Sequence, residues 1–551
     1  MKQNKVGNVI LDYQFYDESH HYSDGDIEDT LLDAAKNNRL EELLYSSNQW
    51  AVLYHCSKIR ENLLEWYPFE KEASLLEVGS GCGALTGLFS RKVKSVTCIE
   101  LSERRSLINA YRNQECDNVK IILGNFKDIE ITEKFDYITL IGVWEYAALY
   151  LDGENPYLQM LTVLRQYLKK DGKLFIAIEN KMGLKYWNGA PEDHTGKIYG
   201  GLNDYIDSNR NVRTFSRPEI EALLKTAGWD AFEFYYPMPD YKLPETIYSD
   251  NRLPNPGEIR TYKKDYNATR IYNFYDATIS DQISTDNMIP YFANSFLVEC
   301  GNNLQNNIVY AKYSRMRHEQ YRISTVIRRN GKRKIVEKRA LTDKAKKHVR
   351  YMSENALKIL PRLIPVNGWM EEDVFVVDYI EGMSMDVILY QYRNDVKIFI
   401  NKVKGIIEKF LTPDSSEMIE FEMTENYKTI FGTKYIEKAK CLKTSNVDLT
   451  FSNLCLTQKG EVYCIDNEWI YNFPIPYEYI IWRAVSEIYS KYMIYLRNKI
   501  SRHNFFIETG LNAEHLKICK EMDINFVNYI VGKDYRDNYK KSSVLYDFRF
   551  V

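Results

Sequence analysis

Two clusters of residues in this 551-residue chain have types and spacings that can do chemistry. The first is "EVGSGCGALTG", starting at Glu77, with Gly79, Gly81 and Gly83 in the turn and Glu100 seventeen residues beyond the last glycine. Glycines at this spacing allow a tight turn and close approach of the backbone to a ligand, beside a helix N-terminus. Read as G-x-G-x-x-A, the run also fits a dinucleotide fingerprint, so the glycines alone do not decide. The two acids lean one way: Glu77 would repel a pyrophosphate and attract a cationic amino-acid end, and Glu100 can accept both hydroxyls of a ribose. The second cluster is "NVDLTFSNLCLTQKGEVYCIDNEW", in which four residues separate Asp448 from Asn453 and Asp466 follows thirteen later. Phosphoryl transfer needs an aspartate for the acceptor's proton, an Asn and an Asp for metal, and a lysine for the phosphates. Lys338, on a strand upstream, is placed for the last of these, with Glu354 in the next helix as its expected ion-pair partner.

Elements must hold these residues in place. From Ser74 the pattern alternates: "SLLEVG", "SVTCIE", "VKIILGN", "FDYITLIGV" and "GKLFIAIEN" are short strands, apolar on both faces, separated by helices such as "SERRSLINAYRNQE". Such strands belong to a parallel sheet covered on both sides. "AFEFYYP" and "NSFLVEC" read as late strands that complete it. Two stretches, 181–213 and 238–294, are long enough to be substrate loops, and the second holds an aromatic run between Tyr262 and Tyr275 that we expect to be ordered and functional. After residue 302 the grammar changes to alternating strands with a hairpin at "NGK", one helix, the strand "DVFVVDYIEG", and a mostly helical remainder. The expected organisation is therefore an N-terminal extension (1–70), an α/β domain (71–302) and a two-lobed α+β domain (303–551).

Composition excludes several classes. Net charge is −3 with no basic block, which argues against a nucleic-acid partner. Nine scattered cysteines form no C-x-x-C pair, so neither a zinc ribbon nor a dithiol redox site is expected. The acidic N-terminus is unlike a signal peptide, and no run approaches the ~20 apolar residues of a spanning helix, so the expected location is the cytoplasm, with peripheral contact to the inner face of a membrane left open. The 44 tyrosines suit either sugar stacking or half-buried packing.

The motifs "EVGSGCG", "CIELS", "GNFKDI" and "FDYITLIGVWEYA", in this order, resemble the class I S-adenosylmethionine-dependent methyltransferases. The resemblance implies a Rossmann-like seven-stranded sheet. It implies that Glu77 and the glycines hold the methionine portion of S-adenosylmethionine, Glu100 the ribose, and Asn125 and Phe126 the adenine; the family more often has aspartate where Asn125 stands. For a hydroxyl acceptor a base is needed. Trp144, Glu145, Glu179, Asn180 and Lys181 are placed near the pocket, and "GAPEDHTG" offers Glu192, Asp193 and His194. His194 is the preferred base; a histidine merely hydrogen-bonded to Asp193 is the alternative. The loops further resemble methyltransferases of bacterial surface-polysaccharide clusters, which implies a glycan or lipid-linked glycan acceptor.

The second half resembles the protein-kinase-like phosphotransferases, with Asp448 as base, Asn453 and Asp466 on Mg2+, and Lys338 on ATP. It departs from them in lacking a histidine or arginine before Asp448, a D-F-G, and a glycine-rich loop: "YSRMRHEQYR" stands there instead. Three readings therefore remain open. The second half is active and makes the sugar phosphate that the first half methylates; or it is an inactive scaffold for glycosyltransferases; or the glycine motif serves a dinucleotide-dependent sugar oxidoreductase.

Overall fold

A computed structural model describes residues 3–18, 25–207, 211–259, 272–304, 307–358, 360 and 362–531. Its first parallel strands are β3 (Ser74–Val78), β4 (Ser95–Glu100), β5 (Val119–Gly124), β6 (Phe135–Ile141) and β7 (Leu168–Glu179). They pair in the order β5-β4-β3-β6-β7, and β10 (Ser295–Gly301) then inserts antiparallel between β7 and β8 (Ala231–Met238). All seven strands fall where the sequence places them. Alternation along each strand feeds two cores. Leu75 packs with Trp66, Leu88 and Phe89 on one face, whereas Leu76 and Val78 pack with Met160, Leu161 and Leu164 on the other. An N-terminal hairpin, β1 (Gln3–Val6) and β2 (Val9–Phe15), extends the sheet by pairing parallel to β5.

Local signals fix the helices around this sheet. In α3 (Glu103–Arg112) Ser102 accepts the Arg105 N–H at the N-cap, at 3.4 Å. Asn155 caps α4 (Pro156–Gln166), which has proline in its first turn. Ser216 and Glu219 form a capping box at α5 (Arg217–Thr226), which ends before Gly228 at φ +81°.

The sheet does not stop at residue 302. The short strand β9 (Thr246–Ser249) pairs with β8 on one side and, through Ile247 and Thr246, with β11 (Ile308–Tyr313) on the other. From β11 the order continues through β12 (Ile323–Asn330), β13 (Arg333–Ala340), β15 (Val374–Asp378) and β14 (Gly368–Glu371), giving 15 strands in one sheet. The hairpin expected at "NGK" joins β12 to β13, with Gly331 at φ +61°. Helix α6 (Lys346–Asn355) packs on β13 and β15, and a separate, mostly helical core gathers around α7 (Tyr477–Leu496) and α8 (Leu516–Val531). Residues 260–271, holding Tyr262 and Tyr266 of the expected aromatic run, lie outside the described residues. Among the described residues no helix is long and apolar enough to cross a membrane.

Candidate functional site

The carboxyl ends of β3, β4, β5 and β6 open onto one cleft of about 1090 Å3, its mouth included. Glu77, Gly79, Gly81, Glu100, Asn125 and Phe126 all line it. Gly79, Gly81 and Gly83 sit at φ +70°, +53° and +73°, where other residues are strained. They are not equivalent. A Cβ on Gly79 would stand 2.4 Å from Val143 Cγ2, and one on Gly83 would stand 2.2 Å from Asn109 Oδ1. A Cβ on Gly81 would meet nothing within 4 Å. Gly79 and Gly83 therefore permit packing, and Gly81 keeps the cleft open. Gly83 turns the chain toward α2 (Thr86–Lys92).

The acids are buried beneath this turn. Glu77 accepts from Thr86 Oγ1 at 2.6 Å and from Cys98 Sγ at 3.4 Å. Burial pushes its carboxyl up to about 7, against those hydrogen bonds and with a smaller push from Glu100. Glu100 accepts the Gly81 N–H at 2.8 Å and the Ser102 N–H at 2.9 Å; burial raises it too, opposed by Arg105. Asn125 Oδ1 takes the Lys127 N–H at 3.3 Å. Among the wall residues not read from the sequence are Tyr54, His55 and Arg60. Arg60 lies 4.2 Å over the Tyr54 ring and donates to the Lys242 carbonyl at 3.2 Å. Its buried Nε has no hydrogen-bond partner. An S-adenosylmethionine fits this donor set: the cleft faces Glu77 and Glu100, and Gly81 has room for a close ligand.

A second group borders the first through Gly142, Val143 and Tyr146, which line the cleft after β6. Glu145, Glu179 (the last residue of β7) and His194 each direct one potential ligand atom into a space where all three atoms lie within 4.8 Å of one another. His194 Nδ1 meets Tyr146 OH at 2.9 Å, and its Nε2 lies 3.5 Å from Glu179 Oε2. Lys242 and Tyr241 both donate to Glu179 Oε1. Burial and the Glu179 charge push Glu145 up to about 8. Burial acts on Glu179 in the same sense, but Lys242 and His194 outweigh it and hold this carboxyl well below the usual range. Burial alone would lower His194, and its contact with Glu179 brings it up to about 9 instead.

The other residues of the sequence reading have different surroundings. Glu192 accepts the His194 and Thr195 N–H groups at 3.1 and 2.7 Å and the Tyr205 OH at 3.2 Å, so it shapes the turn that carries His194. Asp193 is held by Lys185 and Lys242, each at 2.8 Å, and by Tyr186 OH. It does not engage the His194 ring in any hydrogen bond, as the alternative reading of His194 required. Asn180 donates to the Tyr291 and Ala293 carbonyls. Lys181 pairs with Glu219 at 2.7 Å. Trp144 is fully buried, with Nε1 on the Tyr157 carbonyl.

In the second half, Lys338 Nζ donates to Asp466 Oδ1 at 2.6 Å, joining β13 to the second residue past β17 (Val462–Cys464). The expected Lys338–Glu354 pair is not formed. Glu354 is exposed, because α6 turns His348, Met352 and Asn355 inward and leaves position 354 on its outer face. The inward partner is His348, whose Nε2 meets Glu468 Oε1 at 2.9 Å. Arg317, from the "YSRMRHEQYR" stretch, binds both oxygens of the same Glu468. Asp448 pairs with Arg483 at 3.2 Å, and burial raises its carboxyl to about 6 against that arginine. Asn453 Nδ2 donates to the Asp448 carbonyl at 2.8 Å just before β16 (Leu454–Leu456).

The strand order β5-β4-β3-β6-β7-β10-β8, with one late antiparallel strand and acids at or next to the ends of β3 and β4, agrees with the seven-stranded sheet that the sequence resemblance implies. Residues 50–233, a third of the chain, match a family described as a methyltransferase domain. This match supports S-adenosylmethionine-dependent methyl transfer by this part of the chain. Among solved structures, a chain of the Haloferax volcanii Trm112 methyltransferase activator–methyltransferase complex is 15% identical, over 50% of this chain and 98% of its own, at a TM-score of 0.29. A Thermotoga maritima S-adenosylmethionine-dependent methyltransferase is 16% identical over 49% and 99%, at 0.27. Haemonchus contortus phosphoethanolamine N-methyltransferase 2 is 14% identical over 52% and 61%, at 0.29. Scores this low carry no argument, so the class rests on the family match, the strand order and the pocket. No curated protein matches the sequence.

Proposed function

We propose that the chain transfers a methyl group from S-adenosylmethionine to a hydroxyl of a glycan or glycan precursor of the bacterial surface type. One observation carries this reading: the donor cleft shares the segment Gly142–Tyr146 with the buried Glu145–Glu179–His194 group. When bound, S-adenosylmethionine supplies an electrophilic methyl on a sulfonium. The chain's own task is then to align the acceptor oxygen and remove its proton. Glu77 and Arg60 suit the two charges of the amino-acid end, and Glu100 suits the ribose. The acceptor's proton is taken within the Glu145–Glu179–His194 group, in which Tyr146 of the cleft wall holds His194 Nδ1. Exposed aromatics in the long stretches after β7 and β9, Trp187, Tyr199, Tyr275 and Tyr291, support a sugar acceptor, because apolar sugar faces stack on such rings. Asn273 links two of them, donating to the Trp187 carbonyl and to Tyr199 OH.

The test is calorimetry with S-adenosylmethionine, then transfer of labelled methyl to a panel of oligosaccharide and lipid-linked acceptors. We expect binding that Glu100→Ala abolishes. Tight binding of a nicotinamide dinucleotide without S-adenosylmethionine binding would instead establish the oxidoreductase reading.

The Lys338–Asp466 pair supports phosphoryl transfer as a second activity, with ATP and Mg2+ at Lys338, Asp448, Asn453 and Asp466. Labelled phosphate transfer to the same acceptors should disappear in Asp466→Ala. Equal labelling in native protein and variant would leave the second half as a scaffold for partner glycosyltransferases.

A further inference from the structure

The Glu145–Glu179–His194 group has a feature that proton transfer alone does not require. Glu145 Oε2, Glu179 Oε2 and His194 Nε2 are all buried, and none has a hydrogen-bond partner. The residues themselves are nearly inaccessible: Glu145 is 1% exposed and Glu179 0%, and the His194 side chain is 8% exposed. Leaving a buried polar atom unsatisfied is costly, so three together call for a common partner. Neighbouring groups leave these atoms free. Lys242 and Tyr241 are on the other oxygen of Glu179, and Tyr146 is on the other nitrogen of His194.

We infer that Glu145, Glu179 and His194 form a binding site for one divalent cation. The inference rests on the methyltransferase reading, because it assigns this cation to the acceptor side of the same reaction. Two ligands at about 2.1 Å from a tetrahedral ion lie roughly 3.4 Å apart. His194 Nε2 and Glu179 Oε2 stand at 3.5 Å, longer than an ordinary N–H···O hydrogen bond and close to the separation of two ligands on one ion. A ligating histidine is held by a partner on its second nitrogen, and Tyr146 fills that role here. Two carboxylates and one imidazole suit ions of intermediate hardness, Zn2+ or Mn2+, better than Ca2+. Such an ion prefers acceptors that offer two neighbouring oxygens, which selects vicinal diols and hydroxy acids over isolated hydroxyls.

Protein stripped with a chelator and then titrated with Zn2+ alone and with Mn2+ alone tests this. Binding is read by calorimetry, and for Mn2+ by electron paramagnetic resonance. We expect one ion per chain and at least a hundredfold weaker binding in both Glu145→Gln and His194→Gln. S-adenosylmethionine affinity is measured on every variant and should stay within threefold of native, which shows that the fold is kept. No stoichiometric ion, or native affinity in both variants, overturns the site while leaving methyl transfer by direct His194 catalysis intact. Ion binding lost in the variants, in a protein that never binds S-adenosylmethionine, supports the site and overturns the methyl-transfer reading.

Discussion

The burial of Glu77 predicts how donor affinity depends on pH. Free of ligand, its carboxyl titrates at about 7, with Thr86, Cys98, Glu100 and Arg60 as the groups that act on it. A cationic amino-acid end placed against Glu77 favours the ionised form, so the bound complex holds this carboxyl ionised to lower pH and binding releases a proton. The sign follows: affinity rises with pH until the free carboxyl is ionised. Taking the bound group below about 5, affinity grows roughly tenfold between pH 5.5 and 7, or about 1.4 kcal/mol. The ligand's own amino group, near 7.7–8.0 as an ordinary α-amine, stays protonated over this range, so the change reports the protein. Calorimetry at both pH values, in buffers of different ionisation enthalpy, measures affinity and proton release together. Glu77→Gln should bind more weakly at pH 7 and lose both the slope and the proton. Equal native affinity at the two pH values with no proton released would refute the placement of Glu77 against a cation.

Other substitutions separate packing from binding. Gly79→Ala should lower the melting temperature by several degrees, since a positive φ adds about 1–2 kcal/mol to its clash with Val143. Gly81→Ala has the same kind of φ but open space, so it should melt within a few degrees of native and lose donor affinity by calorimetry. Arg317→Ala strands the buried Glu468 with only His348 and should cost about 2–3 kcal/mol in urea unfolding; a change under 0.5 kcal/mol would show that the pair is not formed in solution.

The donor site was legible because its geometry is local. A strand, a turn of glycines and a helix fix Glu77, Gly79, Gly81 and Gly83 within a few residues, and Glu100 lies at the end of the adjacent strand. Arg60 and Tyr54 were not legible as pocket walls, because a chain segment outside the sheet brings them there and no spacing encodes that. Glu354 illustrates a different limit: α6 was read correctly as a helix, but its inward face was not phased, and at about 100° per residue a shift of one position moves a side chain out to solvent. The Glu145–Glu179–His194 group was half legible. Each residue was noted near the sheet edge, but their meeting depends on how the 181–207 stretch folds back. Strand β9, four residues inside a long loop, gave no sign that it would carry the sheet onward.

That strand has a consequence for how two clefts could serve one substrate. Ile247 and Thr246 bond the methyltransferase sheet to β11, Tyr313 N–H reaches the Glu245 carbonyl at 3.0 Å, and Arg315 reaches back to Asn62 at 2.5 Å. No free hinge separates the halves along this seam. An enzyme with two loosely tethered catalytic units can carry a substrate from one to the other by swinging a domain. Here one continuous sheet carries both halves, so under the proposed two-activity reading the acceptor would make the journey, and only one long or mobile enough to present its end to each half in turn would be worked on by both.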